Sequence, residues 1–564
     1  MFRGEEVLEG RFRFLHCEKT FEGPCRWKNP EFSYLWDFNL HYFEYLSALE
    51  ELLRVPDHTG GLSNFRATPE TGGTKTEKPQ VSSLKPQVSK ARRRIQDLMD
   101  QWIAANPCPA QPGWHPYPIS LRTINWIKCF VAHPEFAERP RLESLYAQML
   151  FLEGNLEGHL QANHLLENGR ALLFGGLFFE GRDAERWLAK GLSLLKREIQ
   201  EQYLPNGGHF ERSPMYHCIL LEGLLDTCVY LESSGRGSEW LQSALEKMCA
   251  WTEAIRCPDG TFPLFNDAAL GISADPDEVI GNAERMIAYR RRKAAESVRN
   301  CDAFYVLDAG AFFCAVDGAP IGPSYNPGHA HSDNFTYELF FRGKRLVADA
   351  GTFSYDPGPS RQLFRSTRAH NTVLVNDLEQ SEVWGGFRVA RRSNPHLSRA
   401  GESGGLLVFQ GAYRNQAAPA LGIVHERLLV ACPDRWVLVW DTVEGRGDIL
   451  AENNIYLGPG WSLSETGGYW QVRHADNANL FFQVAGVDHV ERATGEHAPE
   501  FGKSVPVPRI ILRRRGKGGV EMGYLFSVEV FPGPLDLRVS RTAEGVELCL
   551  PGFERRIRFE DLHA

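Results

Sequence analysis

The hydrophobic period of this 564-residue chain changes near Cys301, and that change limits the architectures open to it. From about residue 93 to 300, Leu, Ile and Phe recur at three- and four-residue intervals, the spacing of helices that bury one face. The spacing predicts helices over 93–105, 118–132, 141–152, 157–179, 182–202, 214–233, 237–256 and 277–298. The breaks at Pro107, Pro134, Gly181, Pro205-Asn206-Gly207-Gly208 and Pro258-Asp259-Gly260 have the residues that turns require. Short connections pair successive helices into hairpins, and so into a bundle or an α/α toroid. After 301 the period is two, in Phe304-Tyr305-Val306-Leu307, Phe312-Phe313-Cys314-Ala315-Val316, Leu406-Leu407-Val408-Phe409 and Trp436-Val437-Leu438-Val439-Trp440. Many strands at short spacing predict a β-sandwich or stacked antiparallel sheets.

A chain of this length exceeds one hydrophobic core, so several domains are expected. An aromatic-rich segment, 1–55, joins the helical part. Residues 56–92 are rich in Gly, Thr, Ser, Pro and Lys and contain Lys-Pro-Gln-Val-Ser twice, starting at Lys78 and Lys85, which predicts a disordered insertion. A helical domain over 93–300 and a β domain over 301–564 complete the expected organisation.

The formal net charge of −9 argues against nucleic acid as the main partner, while local basic groups can still receive a polyanionic sugar. Arg92-Arg93-Arg94, Arg290-Arg291-Arg292-Lys293 and Arg513-Arg514-Arg515 read as solvated surface. Twelve cysteines without a CxxC pair read mostly as buried free thiols. No apolar run reaches the ~20 residues of a membrane span. Met1-Phe2-Arg3-Gly4-Glu5-Glu6-Val7 lacks the apolar core of a signal peptide, so a cytoplasmic protein is expected, or a periplasmic one if a leader has been removed. The oligomeric state is not legible.

Chemistry-bearing residues gather in a few stretches. In Pro327-Gly328-His329-Ala330-His331-Ser332-Asp333-Asn334, two histidines two residues apart follow a Pro-Gly turn and point to one side of an extended chain. Asp349, in Val347-Ala348-Asp349-Ala350-Gly351, and His370, in Arg368-Ala369-His370-Asn371-Thr372, follow downstream. His and Asp are ligands for a metal such as zinc, so one histidine of the pair can hold an ion while the other faces a substrate. In the helical half, Gly207-Gly208-His209-Phe210-Glu211-Arg212-Ser213-Pro214-Met215-Tyr216-His217 reads as a loop, a Ser213 cap and a Pro at the first helical position, with Tyr216 and His217 in the first turn. Gln161-Ala162-Asn163-His164-Leu165-Leu166-Glu167-Asn168-Gly169-Arg170 is equally polar. Arg122, after Trp114-His115-Pro116-Tyr117, either meets a carboxylate in a fork-like contact or bonds between helices.

These pieces, with Leu35-Trp36-Asp37-Phe38-Asn39-Leu40-His41-Tyr42 near the start, resemble the heparinase II/III family of polysaccharide lyases and lie in that family's order. The resemblance implies an N-terminal incomplete α/α toroid followed by a C-terminal domain of stacked antiparallel β-sheets, an α+β multidomain chain. It implies β-elimination on a uronic-acid polysaccharide, either a glycosaminoglycan or a bacterial exopolysaccharide, leaving a 4,5-unsaturated uronate end. By the same resemblance Asn163 neutralises the uronate carboxylate, Tyr216 is the proton donor, and His329 is the base or orients the carboxylate. Arg122, His164, His209, Glu211, Arg212 and His217 are the expected substrate contacts. Zinc, in a mainly structural role, is expected at His331, Asp349 and His370.

Two other classes compete. A glycoside hydrolase needs two facing carboxyl groups, for which Glu167, Glu211 and Asp267 are available without an evident pairing. A polysaccharide-binding or assembly protein on the same fold would bind chains without shortening them.

Overall fold

The computed structural model describes residues 2–54, 81–292, 296–466, 469–531, 537–542 and 544–564. The chain forms two compact units, Met1–Lys196 and Arg197–Ala564.

The first unit is helical apart from a small hairpin, Arg11–Phe14 with Cys17–Thr20. Its helices include Tyr34–Tyr42, Leu46–Glu51, Val81–Ala105, Pro116–Ala132, Arg139–Gly154 and Ala162–Phe178, followed by the start of Arg182–Gln202. Local chemistry sets their ends. Ser33 caps the first of these by accepting from Trp36 N at 3.2 Å, and proline opens Pro116–Ala132, where a missing N–H costs nothing. Glycine lets Ala162–Phe178 and Arg182–Gln202 touch backbone to backbone. A Cβ on Gly176 would lie 2.4 Å from Leu188 N, and one on Gly191 would lie 2.6 Å from Leu173 N.

The second unit begins with helices Pro214–Ser233, Glu239–Ile255 and Pro276–Ile287 and continues in strands. Five antiparallel strands in chain order, from Val298–Cys301 to Lys344–Val347, make one sheet. A second sheet of eleven strands is built around the long antiparallel pair Trp436–Tyr456 and Lys503–Ser527. A three-stranded sheet, Arg538–Arg541, Gly545–Leu550 and Phe553–Arg558, follows.

The five-stranded sheet is buried on both faces. Tyr305, Leu307, Phe312, Cys314 and Val316 pack with Leu407, Phe409, Leu429, Val437 and Val439 of the large sheet. The alternate residues Phe304, Val306, Phe313 and Ala315 pack instead with Trp251, Ile255, Cys257 and Phe265. Double burial explains why these strands read as unbroken apolar runs. It also puts the helix-to-strand change, at Val298, inside the second compact unit, where the sequence reading put a domain boundary at 300–301. The helix Glu239–Ile255 and the sheet share one apolar layer, with Trp251 Nε1 donating to Cys301 O at 3.1 Å.

Three expectations need correction. The insertion read as 56–92 ends earlier, because Val81–Ala105 is one helix; Ala91, Ile95, Leu98, Met99 and Trp102 give it a buried stripe, while 56–80 lies outside the described residues. The helix expected over 277–298 stops at Ile287, where Ala288 turns left-handed (φ 55°) and the Arg290-Arg291-Arg292 run offers no apolar face. The helix expected from 157 starts at Ala162, after the positive φ of Gln161 (58°). All twelve cysteines are free and most are buried. Among the described residues, no helix is long and apolar enough to cross a membrane.

Gly176→Ala tests the helix contact. The obstructing atom is backbone, so the helices must separate, and stability should fall by about 1–3 kcal/mol in a denaturant titration. An unchanged midpoint would mean the helices have room that the 2.4 Å approach denies.

Candidate functional site

A dense polar cluster of the second unit forms around Asp267. The loop Pro205-Asn206-Gly207-Gly208 leads through His209 and Glu211 to Ser213, whose hydroxyl accepts from Tyr216 N at 3.3 Å and donates to Asp267 O at 2.7 Å. This cap starts the helix Pro214–Ser233 and sets Tyr216 in its first turn, half-buried. The His329 ring lies over Tyr216 with ring centroids 4.2 Å apart, and the Tyr355 hydroxyl donates to the Tyr216 oxygen at 3.3 Å. Asp267 N donates to His329 O at 3.0 Å, pinning the two loops together.

The Asp267 carboxylate, fully buried, is the shared acceptor. His329 Nδ1 lies 2.9 Å from Oδ2 and His331 Nε2 lies 2.8 Å from Oδ1. Arg361, also fully buried, donates to both oxygens, with Nη2–Oδ2 at 2.6 Å. Burial opposes the charge on Asp267, but Arg361 and the two imidazoles override it and hold the carboxyl well below its usual range. An ionised Asp267 requires the proton of each contacting imidazole nitrogen. In neutral His329 the proton is therefore on Nδ1, and Nε2 is the acceptor. Nε2 lies 3.6 Å from Glu211 Oε1. Burial raises the Tyr216 phenol, and the Asp267 and Glu211 charges raise it further, so it stays protonated at neutral pH. The half-buried surface thus presents a phenol and an imidazole in contact, one holding a proton and one able to accept it.

Behind this pair is a group of metal-ligand type. His331, Asp333 and His370 can each offer a ligand atom within 4.8 Å of the others. His331 Nδ1, His370 Nε2 and Asp333 Oδ2 are buried without hydrogen-bond partners, so their lone pairs are free to bind a cation. Each histidine is held from behind by a carboxylate: His331 by Asp267, and His370 Nδ1 by Asp349 Oδ2 at 2.9 Å. This carboxylate–imidazole backing is the outer shell of many metal sites. Burial pushes the Asp333 carboxyl up to about 6, a strain that a cation would relieve. The residues therefore fit a divalent ion. The ligand set differs from the expected His331, Asp349 and His370. Asp349 contacts His370 Nδ1, Thr336 Oγ1 (2.9 Å) and Gly351 N (3.1 Å), so it would stand behind a ligand, and Asp333 would supply the carboxylate.

Several other expected contacts are committed to bonds within the fold. His217 is fully buried, with Nε2 3.0 Å from Thr252 Oγ1 and its ring on Trp251; burial lowers it to about 3, so it is a neutral helix-packing group. His209 is buried with Nε2 2.9 Å from Gln202 Oε1 and Nδ1 3.6 Å from Glu211 Oε2, and burial keeps it neutral. Arg212 donates to Asp302 O, and its own carbonyl accepts from Asn266 Nδ2 at 3.1 Å. In the first unit, Arg122 is fully buried. It donates to Gln148 Oε1 (2.7 Å), His41 O (3.1 Å) and Gly113 O (2.9 Å), and lies 3.8 Å over the Trp102 ring, which is the inter-helix alternative rather than the fork. Asn163, buried, and His164, half-buried, open the helix Ala162–Phe178, and His164 Nδ1 meets Glu157 Oε1 at 2.9 Å.

The sequence reading gave no role in the proton chemistry or the metal set to Asp267, Arg361, Tyr355 or Asp333. Asp333 had a signal: it continues the alternation of His329 and His331. The other three lie in stretches without a motif.

Residues 89–288 match the family model described as heparinase II/III N-terminus, and residues 291–530 match heparinase II/III-like, C-terminal. A heparin-sulfate lyase of Pedobacter heparinus is 25% identical over 492 residues, 78% of this chain and 70% of that protein. A heparin-sulfate lyase of Bacteroides stercoris is 26% identical over 327 residues, 53% of this chain and 49% of that protein. The chain thus spans about half the length of the second relative. A crystal structure of heparinase III superposes with a TM-score of 0.73 at 16% identity, covering 96% of this chain and 85% of that one, a likeness of fold.

Three substitutions probe the cluster. Asp267→Asn strands the buried Arg361 charge and should cost about 3–5 kcal/mol of stability, read by denaturant titration. Asp333→Ala should abolish metal retention in elemental analysis, whereas Asp349→Asn should weaken metal affinity about 10–100-fold, the scale of an outer-shell loss. The reverse order would make Asp349 the ligand. With the N-terminal and C-terminal family regions both present and in order, and with the fold of heparinase III, the chain belongs to the heparinase II/III family.

Proposed function

We propose that the protein is a polysaccharide lyase that cleaves a uronate-containing chain by β-elimination, with Tyr216 and His329 moving the protons. One observation carries the reading: a phenol and an imidazole in ring contact at 4.2 Å, both half-buried, the imidazole oriented by a buried carboxylate. β-Elimination needs a base for the C5 proton beside the uronate carboxylate and an acid for the departing C4 oxygen. His329 Nε2 accepts the C5 proton where that hydrogen faces away from the phenol, and Tyr216 donates to the leaving oxygen. Where hydrogen and leaving oxygen share a side, Tyr216 first passes its proton to His329 Nε2, takes the C5 proton as phenolate and delivers it to the leaving oxygen, after which His329 returns the phenol's proton.

The relatives named heparin-sulfate lyases support a glycosaminoglycan-like substrate. A bacterial surface polysaccharide containing uronate has the same reacting atoms. A zinc ion held by His331, Asp333 and His370 would supply a fixed positive charge that ties down the segment carrying His329. The hydrolase alternative loses a carboxyl group, since Asp267 is buried under Arg361 and two imidazoles and has no oxygen left for an acid–base role.

The test is a panel of uronate polymers read by ultraviolet absorbance of the unsaturated end and by product mass. Tyr216→Phe keeps the ring and removes the proton, so turnover should fall ~10²–10⁴-fold with unchanged circular dichroism. Near-normal turnover in that variant, on a polymer the protein cleaves, would sink the mechanism. Asn163→Ala should also lower turnover if its amide neutralises the uronate carboxylate, the role that rests on the family resemblance.

A further inference from the structure

The hairpin Val383-Trp384 with Arg388-Val389 is built outward from the Asp267 cluster. Arg361, which grips Asp267, also donates through Nε to Gly386 O at 2.9 Å. Arg365 donates to Gly385 O and Gly386 O, both at 3.2 Å, and Gln362 Nε2 to Val383 O at 3.1 Å. The hairpin tip is therefore fixed, yet it turns two large aromatics to solvent. Trp384 is 55% exposed and Phe387 is 44% exposed. Phe387 reaches back to the proton-transfer pair, with its ring 6.2 Å from that of His329 and 5.4 Å from that of Tyr355. These half-exposed rings are held in place by the bonds to the hairpin tip, and one of them lies beside the His329 imidazole. They suit the apolar faces of sugar rings.

Beyond the hairpin, which ends at Val389, the chain borders a cavity of about 520 Å³ lined by Arg391, Arg392, Asn394, His396, Arg414 and Gln416. No acidic side chain lines it, although acids outnumber bases in the whole chain, 71 to 62. Arg391 is offset by Glu382 at 3.0 Å. Arg392 is anchored by donating through Nη1 to Pro323 O and Ser324 O, both at 3.0 Å, which leaves its other donors available. Asn394 Oδ1 accepts from Ile321 N at 2.9 Å, so the cavity wall is tied to the loop that continues to His329. Arg414 is exposed, and its side chain makes no hydrogen bond or ion pair among the described residues. From Phe387 to Arg391 the chain spans roughly 13 Å if extended, a length that a short oligosaccharide covers.

We infer that Trp384, Phe387 and this arginine cavity form one subsite. It takes an anionic saccharide unit of the same polymer, a few rings from the bond being cleaved, with the aromatics stacking sugar faces and Arg392 and Arg414 binding a sulfate or carboxylate. The inference rests on the reading of the protein as acting on an anionic polysaccharide and adds a specificity-determining element to it.

The experiment measures the affinity of heparan sulfate, and of the same polymer after chemical desulfation, for the unsubstituted protein, Arg414→Glu and Trp384→Ala. Arg414→Glu should weaken binding of heparan sulfate about tenfold, the scale of a lost charge-assisted hydrogen bond, and should reduce its salt dependence. An equal loss on the desulfated polymer assigns the cavity to a carboxylate, and a loss confined to the sulfated one assigns it to a sulfate. Trp384→Ala should weaken both polymers. Binding that Arg414→Glu loses, without any unsaturated product from the unsubstituted protein, supports the subsite while removing the lyase reading. Cleavage with the same affinity and KM in Arg414→Glu overturns the subsite and leaves the lyase reading intact. Absence of binding to either polymer also overturns the subsite.

Discussion

A single carboxylate organises the second unit's polar centre. Asp267 accepts from His329 on one oxygen, from His331 on the other and from Arg361 on both, with no exposure to water. In that setting an unpaired charge would cost several kcal/mol, so each partner depends on the others being present. The consequence runs in three directions. Toward the surface, Asp267 decides which nitrogen of His329 holds the proton. Toward the interior, it decides which nitrogen of His331 is left facing Asp333 and His370. Sideways, it fixes Arg361, which in turn holds the Gly386 turn of the exposed hairpin. The Tyr216–His329 pair, the His331–Asp333–His370 group and the aromatic hairpin therefore share one geometric reference.

That reference needs a rigid support, and the five-stranded sheet supplies it. Phe312–Asp317 and Tyr337–Phe341 pair directly, and the connection between them carries His329, His331 and Asp333. Asp317 N donates to Thr336 O and Phe335 N donates to Asp317 O, both at 2.9 Å, so the loop's base is closed by backbone bonds. Because the sheet is covered by helix residues on one face and by the large sheet on the other, the strands cannot shift without disturbing two apolar layers. A loop with this anchoring can hold side chains at fixed distances although most of it has no regular structure.

How far the site was legible follows from what a local pattern can encode. His329, His331, His370 and Tyr216 stand in short polar stretches that interrupt apolar periodicity, and the helix cap that positions Tyr216 is written in Ser213-Pro214. Asp267, Arg361 and Tyr355 reach the same point through contacts spanning tens of residues in sequence, and nothing in their neighbours marks them. His217 and Arg122 erred in the opposite sense. A polar residue on a helix beside a motif reads like a site residue, but their partners, Thr252 for one and Gln148 for the other, come from distant helices and bury them. The switch from helices to strands was legible from hydrophobic period. The compact-unit boundary was not, because the strands after Val298 bury their second face on helices that precede them.

Glu211 brings two histidines into comparison. Its Oε2 lies 3.6 Å from His209 Nδ1 and its Oε1 lies 3.6 Å from His329 Nε2, so both imidazoles feel the same carboxylate. Their environments separate their uses. His209 is fully enclosed, bonded to Gln202 and driven by burial well below the normal imidazole range, so no proton from a substrate can reach it and its ring acts as a spacer that sets Glu211. His329 keeps a small exposed edge, 12% of its side chain, at the boundary with solvent. A proton acceptor must meet its substrate and yet be oriented by groups that do not. Within this cluster the imidazole of His329 combines a buried carboxylate at one nitrogen with access at the rest of the ring, which makes burial, more than residue type, the property that divides the proposed base from its neighbours.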